Sequence, residues 1–186
     1  MKKDKVIRMV GIAILSAIVV ILQLLGSFIR FGPVSISLVL IPIVVGAAMY
    51  GPIAGAMLGG VFSIVVLLQP DTVFFYGVHF WGTIVTVMLK GCLAGLLAGV
   101  VFNAVSKKNT WLAVILSAVI CPIVNTGIFF LGCKLFFWEA LAEQGGGNAL
   151  AFVLTVMIGF NFLAEFATNI ICAPLVVRVL QAVKRR

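Results

Sequence analysis

Residues 35–68 read SISLVLIPIVVGAAMYGPIAGAMLGGVFSIVVLL, a run without a single charged side chain. Its length decides the architecture. With about 20 residues needed for a hydrocarbon core about 30 Å thick, the run is too long for one transmembrane helix. At about 1.5 Å of rise per residue, it is slightly short of two full ones. Gly51-Pro52 interrupts it near the middle, and proline breaks a helix because it lacks the N–H and clashes with the preceding turn. Two short helices, 36–50 and 53–68, are therefore expected to form a hairpin.

The rest of the chain has the same character. Its 186 residues are 63% hydrophobic and 10% charged, with a mean hydropathy of +1.30, whereas soluble domains carry about 25% charged residues. Four more spans are expected at 7–29, 82–105, 111–136 and 149–180, making residues 1–186 one all-α integral membrane domain, a bundle of six transmembrane helices. The first run follows Lys2, Lys3, Lys5 and Arg8; it is too long for the apolar region of a secretory signal and is expected to be a retained helix. Cys92, Cys121, Cys133 and Cys172 stand singly in apolar runs, without the spacing of a metal site, and read as small packing residues.

A formal charge of +8 in a soluble protein would point to nucleic acid. Here ten of the thirteen basic residues lie at the N-terminus, at Lys107-Lys108, and in Arg178, Lys184, Arg185 and Arg186. By the positive-inside rule these three places are cytoplasmic. Both termini are then inside, the span count is even, and no nucleic-acid partner is implied. The two long connections, 69–81 and 137–148, fall outside. They read as lids over something captured from that face, or as loops of no special role.

Glycines recur every fourth residue at Gly51, Gly55 and Gly59, and again at Gly91, Gly95 and Gly99. Such rows let helix backbones approach closely. Ala13 and Ala17 form a smaller row on the first span.

Charges at bilayer depth carry more information, because each costs at least about 2.5 kcal/mol on insertion scales unless paired or solvated. Lys90, eight residues into the fourth span, lies about 12 Å deep. Asn125 on the fifth span reaches a similar depth. Asn161, Glu165 and Asn169 share one face of the sixth span at i, i+4, i+8 spacing. Thr83 and Thr86 lie near the face of Lys90. These groups form either a ligand cavity or an ion pair with amide bonds that only hold helices together. His79, among Phe74, Phe75, Tyr76, Phe80 and Trp81, and the group Phe129, Phe130, Phe136, Phe137 and Trp138 read as an interfacial aromatic belt, as stacking surfaces over a ligand, or as both. No nucleophile elbow, HExxH or phosphate loop occurs. The chain is not expected to be an enzyme or to hold a cofactor or metal, and any use of ATP would fall to partner subunits.

Four segments carry a family resemblance: ISLVLIPIVVGAAMYGPIAGAMLG (36–59), MLKGCLAGLLAGVVF (88–102), PIVNTGIFFLG (122–132) and Asn161-xxx-Glu165. In this order they resemble the substrate-binding S component of energy-coupling factor (ECF) vitamin transporters. The resemblance implies a six-helix bundle in a bacterial-type plasma membrane. It also implies a vitamin-like substrate held by the later helices and outer loops, and docking on a transmembrane coupling protein with two ATPase subunits. Ala13 and Ala17 match the family's small-residue docking face. The second and third spans look closer to pantothenate-type than to riboflavin-type members, whose LDFSD-like segment is missing. The resulting expectation is a substrate-binding subunit using Lys90, Asn125, Asn161, Glu165, His79, Trp81 and Thr86. The alternative is a small membrane scaffold or sensor.

Overall fold

The computed structural model describes residues 2–28, 30, 31, 34, 35 and 38–184; within these, the side chains of 2–4, 27, 28, 30, 31, 34, 35, 160, 161, 183 and 184 lie outside the description. The turn expected at Gly32-Pro33, the Ile36 start of the second span and the Asn161 side chain are therefore outside the described residues.

Helix α1 (Lys2–Phe28) is followed by a small antiparallel hairpin, β1 (Arg30–Phe31) with β2 (Val34–Ser35), paired Arg30 to Ser35 and Phe31 to Val34. Helix α2 (Leu40–Tyr50) begins four residues later than the hydropathy predicts. Pro42 explains the delay: proline is tolerated in a first helical turn but not further in. Gly51 ends α2 at φ 89°, a backbone conformation that favours glycine, while its N–H still bonds Ala47 O at 3.0 Å. Pro52 then occupies the first position of α3 (Pro52–Leu67), where its fixed φ suits helix initiation.

Pro70 starts a 3-10 turn, Pro70–Thr72, that leads into the short α4 (Val73–Val78). The polar connection expected at 69–81 is thus largely helical, bent by 78° from α3. Helix α5 (Phe80–Val105) descends, a tight turn capped by Asn109 follows, and α6 (Thr110–Gly132) returns. At its far end α6 widens into a π-helical turn, Cys133–Phe137, and continues as α7 (Trp138–Gln144). The loop expected from 137 is therefore helical to Gln144, as its run of alanine, leucine and glutamate favours. A second π-helical stretch, Val153–Gly159, joins α8 (Ala149–Phe152) to α9 (Phe160–Lys184).

Four helical runs are long and apolar enough to cross a membrane: Lys5–Gly26, Phe80–Val105, Thr110–Gln144 and Ala149–Ala182. A fifth exists if the bent pair Pro52–Leu67 and Pro70–Val78 counts as one span. The 11 residues of α2 reach only about 16 Å, half the hydrocarbon core. Among the described residues the architecture is a helical bundle with four or five candidate crossings by length and composition, and α2 is a shorter apolar helix.

Helix α5 is the central post. Its glycines meet those of α3 back to back: a Cβ added to Gly59 would fall 1.9 Å from Gly91 O, and one added to Gly55 would fall 2.2 Å from Gly95 O. Ser63 Oγ donates to Val87 O at 2.7 Å across the same seam, and Ser117 Oγ of α6 donates to Ala98 O at 2.9 Å. One apolar core, including Leu40, Ile43, Leu58, Ala94, Phe102 and Val177, binds α2, α3, α5, α6 and α9 together. A separate cluster of Cys133, Phe137, Leu141, Ala149, Val153 and Ile158 forms at the end remote from both chain termini. Helix α1 lies at the edge on α2 and α3, with most of its apolar surface uncovered.

Candidate functional site

A cavity of about 230 Å³ opens between the two apolar clusters and draws its walls from both, with Phe62 from one and Phe137 and Ile158 from the other. Ligand pockets for drug-sized molecules run from about 300 to 1,000 Å³, so this one suits a compact solute.

Six of its polar side chains sit on three helices. Helix α5 contributes Thr83, Thr86 and Lys90 from successive turns of one face, α6 contributes Asn125 and Thr126, and α9 contributes Glu165. The Lys90 ammonium stands between two aromatic faces, 5.7 Å from the Phe62 ring centre and 5.1 Å from that of Phe129, within the range of cation–π attraction. Glu165 acts on this charge electrostatically. The Asn125 side chain also acts on its carboxylate. Lys90 and Glu165 are half-buried, and both face the cavity.

Among the described residues, two buried polar atoms have no hydrogen-bond partner: Asn125 Oδ1 and Thr86 Oγ1. Their residues are 6% and 3% exposed. Unpaired groups of this kind cost about 1–3 kcal/mol each, and both belong to residues lining the cavity. The space Thr86 needs comes from α6, where a Cβ on Gly132 would lie 2.2 Å from Thr86 Cγ2. Thr83 differs, since its hydroxyl already donates to His79 O at 2.9 Å.

Aromatic rings form the remaining wall. Phe75 of α4 stands edge-on to Phe137 at 5.0 Å and to Phe129 at 5.8 Å. Gln23 of α1 closes the opposite side: its Nε2 donates to Gln69 Oε1 at 3.0 Å, and Gln69 Nε2 donates back to Gln23 O at 3.3 Å. The edge helix α1 is thereby tied to the start of the 3-10 turn beside Asp71 and Thr72, which also line the cavity.

Of the residues expected from the sequence, Lys90, Asn125, Glu165 and Thr86 converge here. His79 and Trp81 do not. The His79 Nδ1 accepts the Gly82 N–H at 2.8 Å, capping α5, and its ring lies 5.2 Å from that of Phe136. Trp81 is 70% exposed. Asn169 is buried on α9 but donates to Glu165 O at 2.8 Å within its own helix. Gln23, Gln69, Thr126 and Phe62 are further lining residues that patterning missed. A signal for Gln23 was present, since it is an amide within an otherwise apolar stretch of span. Ala13 and Ala17 are exposed on α1 and do not line the cavity.

A family model described as the substrate-specific component of ECF transporters matches residues 7–177. No curated protein and no solved structure matches the chain.

Proposed function

The chain belongs to the family of ECF transporter substrate-specific components, and from this premise we propose that it captures a vitamin or related micronutrient and hands it to a separate ATP-driven module. Membership makes it a multi-pass plasma-membrane protein that works with a transporter module and binds a small-molecule substrate. The single observation that carries the finer reading is the cavity itself, in which Lys90, Glu165 and Asn125 meet beside unpaired buried polar atoms. It lies toward the end remote from the termini, so cytoplasmic termini place it near the outer face. Asn161 is kept in the proposed site on its i, i+4 sequence spacing to Glu165 alone.

Among vitamins, the pantothenate type ranks above the riboflavin type, because about 230 Å³ accommodates a flexible chain more readily than a tricyclic ring system. Thermal unfolding of the purified protein with a vitamin panel tests the assignment. A bound vitamin at 100 times its dissociation constant is expected to stabilise the fold by about 2.7 kcal/mol. No stabilisation, and no small molecule extracted from the purified protein, would defeat it.

The partner reading rests on α1. Ala13 and Ala17 are exposed, and Met9, Val10, Ile14 and Ile18 around them are also uncovered. Small residues on an open apolar face permit close helix contact, here with a transmembrane coupling protein that carries two ATPases. Ala13→Trp and Ala17→Trp are expected to leave vitamin binding intact and to abolish uptake in cells. Normal uptake by both variants would remove this face from the docking scheme.

A further inference from the structure

Resting on the reading that the cavity captures a solute, we propose that the solute is a small carboxylate-bearing molecule whose other end presents N–H or O–H donors, with its carboxylate on Lys90 and its donors toward Asn125 and Glu165. The cavity wall presents two sets of groups with opposite demands. The Lys90 ammonium is flanked by Phe62 and Phe129. Ring faces stabilise a cation but offer it no oxygen, so its N–H donors stay available for an acceptor. On the same wall Asn125 Oδ1 is unpartnered, and the Glu165 carboxylate lines the cavity with it. An amide oxygen and a carboxylate only accept, so whatever faces them must bring hydrogen. Thr86 Oγ1, also unpartnered, can serve either end.

Charge balance narrows the class. A cation without an acid group would meet Lys90 with like charge, and a ligand without an acceptor would leave the ammonium's donors unused. An anion lacking donors would face Glu165 and Asp71, which also lines the cavity. A carboxylate for Lys90 together with hydroxyl, amide or amine hydrogens for the acceptors matches both sets of groups. The volume of about 230 Å³ limits the ligand to the size of a single small metabolite.

Pairs of acids and their uncharged mates test this on the purified full-length protein: pantothenate with panthenol, biotin with biotinamide, and nicotinate with nicotinamide. Riboflavin and thiamine serve as carboxylate-free vitamins. Calorimetry or thermal shift is expected to show binding of an acid about 10- to 100-fold tighter than its mate, the range for a hydrogen bond to a charged group. Lys90→Gln should remove that preference, whereas Asn125→Leu should weaken acid and mate by a similar factor. Mass spectrometry of a molecule extracted from the protein should find a carboxylic acid. Tight binding of riboflavin, thiamine or an uncharged mate, or an extracted molecule without a carboxyl group, overturns the substrate class and leaves capture standing. If nothing is extracted and no panel member binds, capture itself fails and this inference with it.

Discussion

Glu165→Gln is expected to lower stability by about 1–3 kcal/mol, and adding Lys90→Met is expected to return most of that loss. The glutamine keeps the shape and a hydrogen-bonding partner for Asn125 but removes the charge that balances Lys90. The Lys90 ammonium then remains among apolar rings with no counter-charge. Breaking a buried pair costs about 3–5 kcal/mol; Lys90 and Glu165 are only half-buried, which reduces that figure. Methionine retains the length of the lysine stem and fills the space between Phe62 and Phe129 without a charge to compensate. Thermal unfolding of the two single variants and the double one gives the coupling directly. A double variant no more stable than Glu165→Gln would show that the charges do not balance each other. The same three proteins separate a binding site from structural glue: a double variant that folds well and binds no vitamin locates function in the pair, whereas one that binds normally makes the pair a helix fastener only.

The second large effect lies at the α3–α5 seam. Gly55→Ala combined with Gly59→Ala is expected to abolish a monodisperse folded species in detergent. The added methyl groups would meet Gly95 O and Gly91 O at 2.2 and 1.9 Å. These obstacles are backbone, which no side-chain rotation clears, and overpacking commonly costs about 1–3 kcal/mol per site. Separating the two helices would also break the Ser63 bond to Val87 O and shift Phe62 and Lys90 relative to each other. Gly127→Ala provides the control: nothing lies within 4 Å of its added Cβ, and a helical alanine gains up to about 1 kcal/mol over glycine. Size-exclusion profiles of both proteins check the contrast. A well-folded double variant would mean that the seam is looser than the glycine contacts require.

The seam was legible because glycine at every fourth residue has few reasons to recur other than close backbone contact. Lys90, Asn125 and Glu165 were legible for a related reason: the cost of a polar group in hydrocarbon is large enough to make each one informative wherever it sits. Thr86 followed from its spacing to Lys90. His79 and Trp81 fall outside the cavity lining. An aromatic cluster next to a helix start supports either a cap or a pocket, and the choice depends on which way the ring turns. His79 turns back onto Gly82, and Trp81 turns outward.

By itself the sequence determined that this is a helical membrane protein with small-residue helix contacts and a few costly polar groups at depth. Those properties are sums of transfer free energies and helical periodicity, which depend on residue type and spacing alone. Only the tertiary structure decided where α2 begins, with Pro42 in its first turn, and that the bend after α3 brings Gln69 against Gln23. It also decided which polar groups share a cavity, since that depends on helix rotation and crossing, and both are set by contacts between residues far apart in the chain.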